Sequence, residues 1–198
     1  MKKKISMIGL AALGYNPIMK MNLRKNSVME LDPKTSTKNR LINDQNGLTG
    51  RNFRYGLHSA AFNACETIAV HNAKVLLGMD STLSETIAEF QRSAAMLGLG
   101  IFGSDPHAIG RILKECNIPY SPAKLENIGG DGVYIISFWN RNAPWHGLHT
   151  VAAECNKGKF ITYNLRGNGE TSFDSPTDYA RKFICGYYIK ANITKERG

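Results

Sequence analysis

Three side chains in this 198-residue chain are candidates for nucleophilic chemistry. Cys65 lies in FNACETIAVHNAKVLLG, His149 in LHTVAAEC and Asn164 in KFITYNL. A thiol becomes a strong nucleophile when a neighbouring base removes its proton, and a histidine base is effective when a third group fixes its ring. These three residue types therefore suit a triad, provided that the fold brings the three together.

The start of a helix is expected to activate Cys65. Asn63 and Glu66 stand three residues apart, as in a capping box, so Asn63 is predicted to cap a helix that ends at Gly78. Cys65 would then be the second helical residue, where free backbone N–H groups and the helix dipole stabilise a thiolate. Such a position lowers a cysteine pKa from about 8.5 towards neutrality.

His149 and Asn164 are predicted to meet at one edge of a sheet. His149 begins a predicted strand, and Asn164 follows 15 residues later, after a hairpin turn at NKG. A strand, a tight turn and a returning strand place the two residues close together. The side-chain carbonyl of Asn164 is then expected to accept the second ring N–H of His149 and to fix its tautomer.

The segments NACETIAVHNAKVLLG, GIFGSDPHAIGRILKECNI and HTVAAECNKGKFITYNL resemble papain-like cysteine peptidases. They are most similar to the compact bacterial branch related to peptidases that remove double-glycine leaders from bacteriocin precursors. The likeness covers about residues 58 to 165. It implies Cys65 as nucleophile, His149 as general base and Asn164 as orienting residue. It also implies cleavage of a peptide or related amide through a thioester, with no metal or organic cofactor.

The oxyanion hole departs from the family pattern. Relatives usually carry Gln five or six residues before the cysteine, where this chain has Ser59 and Ala60. Asn63 is expected to act as the donor together with the backbone N–H of Cys65, and Gln45 is a second candidate. Loss of one such donor costs about 3 to 4 kcal/mol of transition-state stabilisation. A weakly active or inactive homologue therefore stays an alternative.

The segment NAPWHGLH supplies a second histidine and an aromatic residue. Trp145 and His146 are predicted to line the substrate cleft. His146 is an alternative base, but His149 is favoured because it begins a strand and stands at the right spacing from Asn164.

The remaining cysteines, Cys116, Cys155 and Cys185, are predicted to be buried thiols. No CxxC or zinc-ligand spacing occurs, so neither a disulfide framework nor a metal site is expected.

The elements that position these residues are predicted to be helices first and strands second. Further helices are expected from Thr82, with Glu85 completing a second capping box, and from Asp105 with Pro106. Strands are expected at GVYIISFWN, LHTVAAEC and KFITYNL, followed by a short helical segment near SPTDYARKF and a last strand in ICGYYIKANI. This order predicts an α+β fold of the papain-like type, with N-terminal helices packed on a C-terminal antiparallel sheet.

The charge is concentrated at the N-terminus. Residues 1 to 55 hold 11 Lys or Arg against 3 Asp or Glu, which accounts for +8 of the net charge of +9. We expect residues 1–55 to form a basic arm, extended over the domain from residue 16 to 54, and residues 56–198 to form the peptidase domain. Nucleic-acid binding is not expected, since no dense basic cluster stands beside aromatic residues.

The first residues, MKKKISMIGLAALGYN, resemble a signal peptide, with three lysines before an apolar run. The run is too short to span a membrane, and an N-terminal strand or helix packed on the domain is the alternative. The protein is expected to be cytoplasmic, or secreted if residues 1–14 act as a signal. No stable membrane insertion of the mature domain is expected.

The sequence leaves three functions open. The first is hydrolysis of a peptide or protein substrate by Cys65. The second is acyl transfer on the same fold, in which an amine replaces water in the second half-reaction. The third is a catalytically inactive papain-like module that binds a peptide or a protein.

Overall fold

The computed structural model describes residues 17–139, 147–165, 171–173, 175–180 and 182–190. Its α-helices are α1 (Pro17–Leu31), α2 (Ala60–Asn63), α3 (Cys65–Leu76), α4 (Leu83–Arg92) and α5 (Ile109–Glu115). Its strands are β1 (Arg54–Tyr55), β2 (His58–Ser59), β3 (Ser121–Ala123), β4 (Gly132–Trp139), β5 (Leu148–Asn156), β6 (Lys159–Tyr163), β7 (Thr171–Phe173) and β8 (Phe183–Ile189). Short 3-10 turns lie at Asn46–Arg51, Gly98–Gly100, Pro106–Ala108, Leu125–Asn127 and Pro176–Asp178.

The main sheet has six strands in the order β3-β8-β4-β5-β6-β7, and each neighbouring pair is antiparallel. The α-helices precede this sheet along the chain, so the predicted α+β class is confirmed. The β5–β6 hairpin also turns where NKG predicted, at Lys157 and Gly158, which have φ of 51° and 77°.

Strand β4 separates two apolar cores. Val133 and Ile135 pack with the helices, whereas Tyr134, Ile136 and Phe138 pack on the other face of the sheet. Because both faces are covered, the strand reads GVYIISFW, a nearly continuous apolar run rather than an alternating one.

Helix α3 lies between the sheet and the other helices. Every residue from Cys65 to Lys74 is buried, and the helix packs on β5, β4 and α4. Lys74 Nζ reaches the Glu89 Oε1 of α4 at 2.6 Å, and the side chains of these two residues are 6% and 19% exposed. A buried charge is tolerated when it is paired in this way.

Two of the predicted helix starts are confirmed. Thr82 caps α4 in a capping box with Glu85. Asp105 accepts from the backbone N–H of His107 at 2.9 Å, with Pro106 in the first turn, and α5 follows directly. The predicted cap at Asn63 is wrong, because Ala64 occupies the cap position of α3.

The extended course predicted for residues 16–54 is wrong for residues 17–31, which form α1. Asn26 exchanges two hydrogen bonds with the backbone of Arg54 in β1, both at 2.8 Å, and Asn22 donates to Gly56 O. Met19 is buried in the helix-side core beside Phe53. Residues 17–55 therefore pack into the same core as the helices that follow.

The signal-like residues 1–14 lie outside the described part of the chain. Of the helices within the described ranges, none has the length and apolar character needed to cross a membrane.

We predict that removing one partner of the Lys74–Glu89 pair destabilises the fold, whereas replacing both partners by apolar residues has little effect on stability. Glu89→Leu alone should lower the free energy of unfolding by about 3 kcal/mol, because it leaves Lys74 charged and buried. Lys74→Met combined with Glu89→Leu should recover most of this loss. Urea unfolding of the single and double variants measures both effects. Lys38→Ala, which breaks the exposed pair with Asp80, is the control and should change stability by less than about 1 kcal/mol. A double variant as unstable as Glu89→Leu would contradict the prediction.

Candidate active site around Cys65

Helix α3 begins at Cys65 itself. Ala64 occupies the cap position with φ of −109° and ψ of 26°, and no side chain caps the helix. The predicted capping box fails because Asn63 is the last residue of the short helix α2 and its amide points elsewhere. Asn63 Nδ2 donates to Gly100 O at 2.7 Å and to Ile101 O at 2.8 Å. Cys65 is thus the first helical residue, not the second, although it still lies among the free N–H groups of the first turn.

The thiol of Cys65 lies against β5. Its Sγ is 3.9 Å from Leu148 O and also meets the backbone of Thr150. Strand β6 ends opposite Ala152, so residues 148 to 151 have no β6 partner along that edge. In an antiparallel strand the N–H and C=O groups of alternate residues point to the same edge, which explains why the sulfur meets residues 148 and 150 together. The thiol therefore lies beside the backbone on both sides of His149.

His149 is held in one tautomer. Its Nε2 lies 2.8 Å from the backbone oxygen of Asn164. A carbonyl only accepts, so Nε2 must carry the hydrogen and Nδ1 keeps the free lone pair. Burial lowers the pKa of His149, and the ring is therefore neutral near pH 7. The ring also meets the edge of Phe138, with the two ring centroids 5.8 Å apart. These features suit a general base that acts through Nδ1.

Asn164 orients His149 through its backbone rather than through the predicted side-chain carbonyl. Its φ of 65° is left-handed, a conformation that Asn adopts more readily than most residues, and its carbonyl accepts from the imidazole. The side-chain amide instead contacts Gln45. Oδ1 accepts from the Gln45 backbone N–H at 2.8 Å, and Nδ2 donates to Gln45 Oε1 at 3.2 Å.

The two candidate oxyanion donors are placed differently. The structure commits both amide hydrogens of Asn63 to the carbonyls of residues 100 and 101. Gln45 is brought to the site through its two contacts with Asn164. The first-turn N–H groups of α3 are therefore the donors beside Cys65, whereas Gln45 lies beside Asn164.

Glu66 is a residue of this site that sequence reasoning missed. Its carboxyl is 2% exposed, and Oε2 has no hydrogen-bond partner within the described ranges. Burial raises the pKa of Glu66 to about 7. The sequence predicts it only as a helix-cap partner, yet an acidic residue next to a candidate nucleophile is a signal that could have been followed.

The lowered pKa predicted for Cys65 is wrong. Burial, and after it the carboxylate of Glu66, raise the pKa of the thiol well above its ordinary value. Cys65 is consequently protonated at neutral pH. In the part of the chain that the structure describes, no hydrogen bond joins it to the imidazole of His149.

An exposed apolar surface borders the start of α3. It comprises Leu57, Phe62, Leu97, Ile101 and Phe102, and Phe62 and Phe102 are 72% and 76% exposed. Asn63 ties the loop that carries residues 97 to 102 to α2. We call these five residues the entrance surface.

Two predicted cleft residues, Trp145 and His146, lie outside the described residues.

All four cysteines are free; Cys155 is buried, as predicted, and Cys116 and Cys185 are partly buried. Over the described ranges, no group of three or more His, Cys, Asp or Glu side chains is arranged to hold a metal ion.

No protein-family model matches the chain, and no curated protein matches its sequence.

We predict that removing the charge of Glu66 makes Cys65 more reactive. Glu66→Gln should lower the pKa of the thiol, because the ionised carboxylate opposes a thiolate beside it. Iodoacetamide labelling across pH, resolved by peptide mass spectrometry, should then show faster labelling of Cys65 near pH 8. The Cys116 peptide serves as the internal control and should not change. Equal or slower labelling of Cys65 in the variant would refute this electrostatic account.

The raised pKa of Glu66 also predicts a pH dependence of stability. The carboxyl titrates at about 7 when folded and at an ordinary value of 4.5 when unfolded. The folded state therefore keeps a proton that the unfolded chain releases, so this contribution is complete below pH 4.5 and is lost as pH rises to 7. Over that window, the stability of the wild type relative to Glu66→Gln should fall by about 3 kcal/mol. Urea unfolding at a series of pH values tests this, and a constant difference would contradict it.

Proposed function

We propose that this protein is a papain-like cysteine hydrolase that cleaves a peptide or related amide bond through a thioester on Cys65. One observation carries the proposal. The sulfur of Cys65, at the first residue of α3, lies against the β5 backbone on both sides of His149, and His149 is in turn hydrogen-bonded to Asn164 O.

The chain order supports the papain-like assignment. The helix that begins with the candidate nucleophile precedes an antiparallel sheet, and that sheet supplies first the histidine and then, one hairpin later, the asparagine. Papain-like peptidases carry their Cys, His and Asn in the same chain order.

The proposed reaction begins from a neutral pair. His149 Nδ1 takes the proton of the Cys65 thiol as the sulfur attacks the substrate carbonyl carbon. The oxyanion that forms is stabilised by first-turn N–H groups of α3. His149 then gives the proton to the leaving amine, and a thioester is left on Cys65. Water, deprotonated by His149, hydrolyses the thioester and restores the thiol.

The resting geometry requires one adjustment before reaction. The thiol and His149 Nδ1 must come within hydrogen-bond reach, since the described residues show no hydrogen bond between them. Catalytic hydrogen bonds are often long in the absence of substrate and tighten when it binds. The entrance surface lies where an apolar substrate would meet the start of α3.

A second candidate is a catalytically inactive papain-like module that binds a peptide. The observation that favours it is the electrostatic state of the thiol, because burial and Glu66 both raise the pKa of Cys65. Acyl transfer uses the same first half-reaction as hydrolysis and differs only in the final acceptor.

We predict that peptide turnover depends on Cys65 and His149. In a library of peptidyl-aminomethylcoumarins, Cys65→Ala should abolish release of the fluorophore. His149→Ala should lower kcat by about a hundredfold to ten-thousandfold, because it removes the general base. Cys116→Ala and His107→Ala are matched controls at residues outside the site and should stay within about twofold of the wild type.

The products distinguish the three functions. A hydrolase leaves a free carboxylate, and an acyltransferase forms an amide when an amine is added. Mass spectrometry should detect the acyl adduct on the Cys65 peptide in both cases. Turnover that survives Cys65→Ala would reject the proposal. Peptide binding that Cys65→Ala leaves unchanged, with no turnover by the wild type, would identify the inactive module.

A further inference from the structure

Helix α1 exposes several large apolar side chains although two of its three buried residues are asparagines. Asn22 and Asn26 are buried against the β1 segment, while Met21, Val28 and Leu31 are 50%, 62% and 82% exposed. An ordinary surface helix keeps its large apolar side chains on the face that packs on the core. Exposing three large apolar side chains on one short helix is unfavourable in water and is typical of an interaction surface.

Cations accompany these apolar side chains. A groove between α1 and residues 52–54 is lined by Met21, Arg24, Lys25, Val28, Met29, Asn52 and Arg54. Three of these side chains are cationic, and none of the described lining residues is a carboxylate. Glu30, on the same helix, is turned towards the domain, where it accepts from the N–H and the hydroxyl of Thr37 at 2.8 and 2.6 Å. We call Met21, Arg24, Lys25, Val28 and Leu31 the α1 face.

Charge decides between the partners that could cover the α1 face. A second copy would bring cations against cations. Residues 1–16 of the chain fit no better, since they contain three lysines and no acidic residue. The partner must instead combine negative charge with apolar groups. Anionic lipids in a bilayer have both, because phosphates pair with Arg and Lys while acyl chains receive Met, Val and Leu side chains.

We propose that the α1 face binds the surface of a membrane that contains anionic lipids. The basic and apolar groups act together there, since buried apolar area and attraction to anionic lipids both contribute to the binding of an interfacial helix. The attachment is peripheral, with α1 lying in the plane of the interface and the folded domain outside the bilayer. Residues 1 to 55 carry +8 of the net charge of +9. This charge also favours an orientation in which α1 faces the anionic membrane. This inference is independent of the chemistry proposed for Cys65.

The test is co-sedimentation of the full chain with lipid vesicles. The wild type should sediment with phosphatidylcholine vesicles that contain a quarter phosphatidylglycerol, and far less with pure phosphatidylcholine. High salt should weaken the binding. Arg24→Gln combined with Lys25→Gln should lower partitioning by about thirtyfold, given the usual contribution of a cation near an anionic surface.

Two further variants separate charge from apolar contact. Val28→Ser with Leu31→Ser should also weaken binding, and because these side chains are mostly exposed, thermal melting should show an intact fold. Lys124→Gln with Lys159→Gln is the matched control, since it removes the same charge from exposed lysines near β3 and in β6 and should leave binding within about twofold.

Three results would overturn the proposal. The first is equal binding to vesicles with and without the anionic lipid. The second is vesicle binding that the Arg24/Lys25 variant and the control pair affect equally. The third is binding of an acidic polymer such as polyglutamate without binding of vesicles, which would assign the α1 face to an acidic protein.

Discussion

The burial of helix α3 is the constraint on which the candidate site depends. The helix is covered on all sides from Cys65 to Lys74, and its first residue meets the edge of β5 where β6 has ended. This packing brings the thiol beside the strand that carries His149. It also removes Cys65 and Glu66 from water. The same contacts that assemble the site therefore make its two acidic groups difficult to ionise.

The helix dipole and burial act on the pKa of the Cys65 thiol in opposite directions, and their magnitudes can be compared. A helix dipole stabilises a charge at its end by about 1 kcal/mol, and by roughly 2 in favourable buried geometries. Complete burial shifts a pKa by up to about 3 to 5 units, at about 1.4 kcal/mol for each unit. Desolvation wins here, and Glu66 acts in the same direction. A nucleophile of this kind resembles the serine of a serine hydrolase, in that its proton must be removed during attack rather than before it. A neutral His149 with a free Nδ1 meets that requirement.

Local signals in the sequence predict the local structure well. Thr82 with Glu85, Asp105 with Pro106, and the Lys157–Gly158 turn each depend on contacts between residues a few positions apart, and all three are confirmed. The predicted order of helices and strands follows from such signals, and so does the α+β class.

The predictions that failed have a different cause: they depend on contacts between residues that are far apart in the chain. Asn63 has the residue type and spacing of a cap, but it bonds carbonyls 37 and 38 residues away instead. Asn164 has the residue type of a side-chain acceptor, yet its amide bonds Gln45, 119 residues earlier. The pKa of Cys65 depends on burial, which no short motif encodes. Helix α1 was missed because two of its three buried residues are asparagines and several of its exposed residues are apolar, so apolar periodicity does not reveal it.

Four side-chain amides perform the same structural task. Asn22 and Asn26 bond the backbone around β1, Asn63 bonds the loop at residues 100 and 101, and Asn164 bonds the arm at Gln45. In each place an amide with both donor and acceptor groups satisfies backbone polar groups that no strand partner reaches. At Asn164 this affects the contact with the proposed base. Since Gln45 holds the side chain, the residue is fixed in its left-handed conformation, and that conformation directs its carbonyl to His149. The arm therefore takes part in setting the tautomer of the proposed base, although it lies outside the region that resembles the peptidases.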